Sequence, residues 1–316
     1  MVLGDSIPDL IASGEMQQAE DYLCAMLKGR GIYVRNRDCP VQAVGALVIG
    51  ESDMSGRGVL TDLSEGDRTQ VFTRTSIMSS TGAAASATTP GDLVIGTNQM
   101  AADGAYNAAA NFGIELGIAA GYEAGPNSGK RLVISKTAKG STYNAVLNAN
   151  GANDPGASFT WDTSTTPFTV VLAGLAVREW FRINAAMRLQ GIGAPLLVVF
   201  NSLTKNDGKN TVYTGEASDY LALRQRLKSF ILSWTNTPAA NIDWIELGCP
   251  STFEGSDATA VAAIQTALAD FAAADDTVQI VSTEDWPFLA DGIHWTSQTI
   301  YDAGKAMAAL ADKLAA

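Results

Sequence analysis

The strongest constraint on the fold of this chain is a rhythm of short apolar runs separated by longer amphipathic segments. Val44 with Ala46 to Ile49, Leu132 to Ile134, Leu196 to Phe200, Ile242 to Leu247 and the weaker Val278 to Val281 are too short for buried helices. They are also too continuously apolar for strands with one wet face, so they fit parallel strands covered on both sides. Between them, Leu172, Leu175, Ala176, Ile183 and Met187 keep a 3.6-residue spacing while Arg178, Arg182 and Arg188 fall elsewhere, the signature of a helix with one face on a core. Further helices are expected over Asp219 to Ser233, Ala258 to Ala273 and Ser297 to Leu314. Strands alternating with helices predict an α/β protein, a three-layer α/β/α sandwich around a mainly parallel sheet. Residues 1–40 read as a polar lead-in with one short helix, Glu15 to Leu27, and residues 41–316 as a single domain without internal repeats. The stretch from Thr61 to Asn111, rich in Ser, Thr, Gly and Ala, is long for a connection and is expected to hold a strand near Gln70 to Thr73.

Composition removes several classes of function. A net charge of -12 repels both a phosphate backbone and an anionic bilayer, so neither nucleic acid nor membrane is expected as partner. The first thirty residues carry Asp5, Asp9, Glu15, Glu20 and Asp21 and no basic n-region, so no Sec signal peptide is expected. That suits a soluble protein, cytoplasmic or part of a phage particle. Cys24, Cys39 and Cys249 show no C-x-x-C spacing, which points to neither a disulfide framework nor a zinc site. The chain has one histidine, so no histidine-rich metal site can be built from it, and imidazole catalysis must use His294.

Ligands of open α/β sheets sit beyond the carboxyl ends of the strands. Directly after the first predicted strand comes Gly50-Glu51-Ser52-Asp53-Met54-Ser55-Gly56. A serine in a tight strand-to-helix turn projects its hydroxyl outward and aims its own N–H at an incoming oxyanion. The turn is not a G-x-S-x-G elbow, because Met54 stands at the second glycine. Near the C-terminus, Asp291-Gly292-Ile293-His294 places a carboxylate three residues before the sole imidazole. Such a carboxylate holds the ring in the tautomer that takes a proton from serine, a weak nucleophile without a base.

The GESDMSGRG run resembles the G-Q-S-N-M block of sialate O-acetylesterases and of carbohydrate esterase family 6, within the SGNH hydrolase superfamily, and DGIH resembles that superfamily's terminal D-x-x-H block. The resemblance implies a flavodoxin-like sandwich and a serine esterase that removes O-acetyl groups from a carbohydrate, with Ser52, Asp291 and His294 as catalytic residues and no metal or organic cofactor. It also implies a glycine and an amide side chain in the oxyanion hole beside the Ser52 N–H. Phe112-Gly113-Ile114-Glu115-Leu116 is similar to the family's G-P-E-L block and makes Gly113 the glycine donor. The third block departs from the family in Asn201-Ser202-Leu203-Thr204-Lys205-Asn206-Asp207, where Asn201 is expected to donate and Asn206 is the alternative. Glu51 and Asp53 replace the family's amides and are expected to add negative charge beside the nucleophile. Trp286 and Trp295 flank the catalytic loop and suit the apolar face of a sugar.

Two other readings are open. One keeps the triad with a different substrate, a short-chain lipase-like or thioester hydrolase. The other is a carbohydrate-binding or virion module whose chemistry has drifted. Gly4-Asp5-Ser6 spells the superfamily's GDS, but too few residues precede it to build a strand. Gly125 to Lys130 falls one residue short of a phosphate loop. Cys249 lacks any local sign of activation.

Overall fold

The computed structural model describes residues 41–79, 91–97, 110–125, 129–138, 191–202, 204–209, 215–235 and 237–315, with single helical residues between 176 and 188. The lead-in helix, the GDS triplet, Cys24 and Cys39 lie outside the described residues.

The central strand β1 (Val41–Gly50) delivers the chain to α1 (Ser52–Ser55), a single turn. After β2 (Gly58–Val59) and α2 (Glu65–Arg68) come β3 (Thr75–Ser79), β4 (Gly91–Asp92), β5 (Asn111–Phe112) and α3 (Ile114–Ala124). The second half runs β6 (Arg131–Ala138), β7 (Ile192–Ser202), α4 (Ala217–Thr235), β8 (Ile242–Leu247), α5 (Ala258–Ala274), β9 (Val278–Val281), α6 (Ser297–Leu310) and α7 (Asp312–Ala315). Strand order in the main sheet is β4-β3-β6-β1-β7-β8-β9, parallel throughout except for the β3–β4 pair. The run β6-β1-β7-β8-β9 has the 2-1-3-4-5 order of flavodoxin-like folds. The pair β3–β4 extends it at one edge and comes from the long Ser/Thr-rich stretch. The strand expected at Gln70 to Thr73 forms instead at Thr75–Ser79, where parallel pairing with β6 recruits a polar sequence.

Side-chain alternation along β1 sorts the core into two layers. Val44, Ala46 and Val48 face α3 and α6, joining Leu116, Ile118, Ile300 and Met307. Ala43, Leu47 and Ile49 face the other way, toward Trp180, Leu227, Trp244 and Phe271. Helices therefore cover both faces, and the sheet is the middle of three layers. The chain passes from β1 to β6 on one side and then crosses back over β1 to β7 on the other. The carboxyl end of β1 is thus the switch point where such folds open a crevice, and Ser52 stands there.

Candidate active site

The turn that carries Ser52 is fixed from below and behind. Met54 is wholly buried, and burying a side chain of that size is worth about 1.5–3 kcal/mol. A side chain at Gly50 would collide with Met54 Cγ, which is why the strand can end so close to the turn. Glu51 N–H donates to the Ser202 carbonyl at 3.1 Å, tying the turn to the end of β7. The amides of Met54 and Ser55 bond back to the Glu51 carbonyl at 3.1 and 3.0 Å, closing α1. Ser52 stands at the first position of this turn, where helix geometry supplies no intrahelical acceptor for its N–H.

On the facing loop, Asp291 Oδ2 and His294 Nδ1 are 2.6 Å apart. The other carboxylate oxygen accepts the amides of Ile293 and His294, each at 2.9 Å. Gly292 between them has φ +66°, a left-handed conformation that lets the loop turn back within three residues. Burial pushes the Asp291 carboxyl up, but the ring and the two amides outweigh it and hold the group well below the usual carboxylate range. An ionised Asp291 favours the tautomer with its proton on Nδ1 and leaves Nε2 as the base. Thr296 then caps α6 through a bond from Thr299 N–H at 3.2 Å, so the helix starts directly behind the imidazole.

The two blocks meet through their next residues. Trp295 N–H donates to Asp53 Oδ1 at 3.2 Å. Lys205, from the turn after β7, forms an ion pair with Asp53 Oδ2 and donates to the Ile293 carbonyl at 2.8 Å. Its ammonium lies 3.8 Å from the centroid of the Trp295 ring. The charge expected from Asp53 is therefore neutralised by Lys205. Glu51 is buried too; desolvation pushes its carboxyl up to about 8 against the pull of Lys205, so it is largely protonated at neutral pH. The negative field expected beside Ser52 is therefore weakened, because Asp53 is paired and burial pushes Glu51 toward its protonated form.

The expected oxyanion donors are placed unevenly. Gly113 caps α3 beside α1, and a side chain there would strike Lys136 Nζ, the Met54 carbonyl oxygen and Glu115. Its N–H is engaged by Glu115 Oε1 at 3.0 Å. Asn201 is wholly buried and continues the Leu197-Val199 face, the layer opposite the one that holds α3 and α6. In register it stands beside Glu246, whose carboxylate is paired with Arg224 at 2.7 Å. The parity of β7 therefore turns the expected donor away from the crevice. Asn206 sits in the turn that carries Lys205, its Oδ1 accepting from Lys209 Nζ at 2.9 Å. Trp295, expected against a sugar, is only 1% exposed and packs edge-on to Trp286 at 5.0 Å. Trp286 keeps a partly exposed face. Burial pushes the Cys249 thiol far up, which leaves it inert as a nucleophile.

Sequence reasoning missed the charges buried under the site. Lys136 at the end of β6 pairs with Glu115 at 2.7 Å and donates to the Ser55 carbonyl at 2.9 Å. Asp207 accepts from the Tyr220 hydroxyl, which in turn accepts from Arg224, each at 2.8 Å. The only sign of them in the sequence is a charge inside an otherwise apolar strand or helix face. No His/Cys/Asp/Glu group among the described residues is arranged to hold a metal ion. No helix among them is long and apolar enough to cross a membrane.

No family model and no curated protein matches the chain. Solved structures do. A protein from Arabidopsis thaliana aligns with a TM-score of 0.57 at 13% identity, over 84% of this chain and 97% of its own. A carbohydrate acetylesterase from Xanthomonas citri aligns at 0.49 and 12% identity, over 84% of this chain and 54% of its own. Another from Sinorhizobium meliloti aligns at 0.42 and 14%, over 84% and 97%. At such identities the Arabidopsis match establishes a common fold, a mainly parallel α/β sandwich.

Proposed function

We propose that the protein is a serine esterase that removes O-acetyl groups from a carbohydrate through an acyl-enzyme intermediate. The observation that carries this reading is the Asp291–His294 pair on a loop hydrogen-bonded to the residue that follows Ser52. In the reaction, Ser52 Oγ attacks the acetyl carbonyl carbon while His294 Nε2 takes the hydroxyl proton. The tetrahedral oxyanion faces the Ser52 N–H, with Gly113 and Asn206 as further donors. Collapse breaks the ester C–O bond, His294 returns the proton to the leaving sugar oxygen, and acetyl-Ser52 remains. Water, deprotonated by His294, then attacks the acetyl carbon; collapse breaks the bond to Ser52 Oγ, which takes the proton back from His294, and acetate leaves. Trp286 offers the sugar an apolar face.

The test uses an organophosphonate and a nitrophenyl ester series beside acetate release from acetylated glycans. Ser52 is expected to be labelled, acetyl esters are expected to be cleaved faster than octanoyl esters, and Ser52→Ala and His294→Ala are expected to be folded and inactive. Asp291→Asn is expected to lose about 10⁴-fold in turnover through the wrong imidazole tautomer. Faster octanoyl hydrolysis with no acetate from any glycan refutes the carbohydrate substrate. A specific observation favours a second reading, a drifted carbohydrate-binding module: Asn201 faces the wrong layer and the Gly113 N–H is already engaged. An unlabelled Ser52 in a protein that still binds glycans decides for it.

A further inference from the structure

We propose that Lys205 is the positioning residue of this site, its buried ammonium holding the nucleophile turn and the histidine loop in one geometry; this rests on the esterase reading above. Lys205 is 1% exposed and reaches two separate segments from the turn after β7. It grips Asp53 in α1, the Ile293 carbonyl in the histidine loop and the face of the Trp295 ring. Asp53 completes the junction by accepting the Trp295 amide. The residues one step beyond Ser52 and one step on either side of His294 therefore all meet at a single cation.

Stability alone is a poor explanation for such a pair. A buried ion pair is expensive to desolvate, and well-packed apolar residues often serve as well. The value of the pair is directional. The ammonium's bonds to Asp53 and to the Ile293 carbonyl, with the Trp295 amide on Asp53, fix the distance between the two segments, and a small misplacement of a base costs turnover about a hundredfold.

The turn that carries Lys205 is itself braced. Asp207, two residues on, accepts from Tyr220, and Tyr220 from Arg224. Lys209 holds Asn206. The cation is thus carried on a turn anchored to α4, and the geometry it sets for Ser52 and His294 follows the frame of the sheet.

The experiment uses the full chain and exploits its single histidine. In proton NMR the Nδ1–H of His294, bonded to Asp291, is expected to give one far-downfield line that no other imidazole can contribute. Lys205→Met is expected to broaden or abolish this line, to lower kcat for nitrophenyl acetate about a hundredfold and to leave KM within about threefold. Lys205→Arg, which keeps the charge, is expected to restore part of both. A folded Lys205→Met protein with the wild-type line overturns the proposal, whatever its kcat. If the wild type neither hydrolyses esters nor is labelled at Ser52, the esterase reading falls, while the NMR line still decides whether Lys205 positions the imidazole. Should Lys205→Met fail to fold, Asp53→Asn must produce the same loss of the line, and an unchanged line in that variant overturns the proposal.

Discussion

Replacing Glu51 by Gln tests the electrostatics of the nucleophile turn in one step. Glu51 is 1% exposed, and its Oε1 has no hydrogen-bond partner among the described residues. Desolvation pushes the carboxyl from its ordinary 4.5 to about 8; Lys205 opposes this and Asp53 adds to it. The folded state therefore holds a proton that the unfolded chain releases, so the contribution to stability is full below about pH 4.5 and is lost as pH rises through about 8. Over that window the loss is on the order of 5 kcal/mol. Glutamine has the same shape and no proton to lose. Urea unfolding of both proteins at steps from about pH 5 to pH 9 is expected to give a variant-minus-wild-type difference that grows with pH and then levels, other groups cancelling between them. Activity is expected to follow: ionisation of Glu51 sets an anion beside the developing oxyanion, so the wild type loses turnover above about pH 8 and the Gln variant does not. Parallel stability curves for the two proteins refute the reasoning, because they mean that Glu51 is ionised in the folded state.

The two asparagines of the third block are expected to separate by readout. Asn201→Ala, on the far face of the sheet, lowers the urea midpoint and leaves turnover of the folded enzyme within about threefold, whereas Asn206→Ala lowers kcat about a hundredfold. The two tryptophans of the catalytic loop are expected to separate likewise: Trp286→Ala weakens glycan affinity measured by calorimetry with little loss of stability. Trp295→Ala opens the core over Lys205 and costs about 3–5 kcal/mol in unfolding experiments.

The strands were legible where they are apolar and fully covered: Ile242–Leu247 and Val278–Val281 form as the sequence pattern predicts. β7 begins at Ile192, four residues before its apolar run, because Pro195 sits where the β1–β7 register shifts. A bulge tolerates the missing N–H, but a pattern search stops at the proline. β3 was hidden because Thr75 and Ser76 read as loop until a neighbouring strand pairs with them. In the candidate site, the strand-end turn at Ser52 and the Asp291–His294 contact were legible because one follows directly from the end of an apolar run and the other from a three-residue spacing. The orientation of Asn201 was not. Alternation shows that it shares a face with Val199, but only the assembled layers show which face lines the crevice. Lys205 carried no signal, since a lysine in a polar turn reads as solvated until the facing loops close over it.

The same blindness hid the group that supports the turn from the other side. Lys136, Glu115 and the Ser55 carbonyl meet with both side chains fully buried, and Glu115 also holds the Gly113 N–H. Burial raises the Glu115 carboxyl and Lys136 pulls it back, so removing the lysine leaves an acid without its counter-charge. Lys136→Met is expected to cost about 3–5 kcal/mol, the penalty of an abandoned buried partner. Adding Glu115→Leu removes that abandoned charge and is expected to recover most of the loss, less about 1–3 kcal/mol for the Gly113 N–H left unpaired. If Gly113 is an oxyanion donor, that N–H must be shared with Glu115 during turnover, and the double variant, in which it points at the acetyl oxygen alone, keeps or raises kcat. Urea unfolding of the two singles and the double gives the coupling, and a nitrophenyl acetate assay gives the turnover. A single-variant loss below about 1 kcal/mol refutes the ion pair as the support of the turn. A stable double variant with turnover lowered about a hundredfold shows instead that Glu115 places the Gly113 amide and does not compete for it.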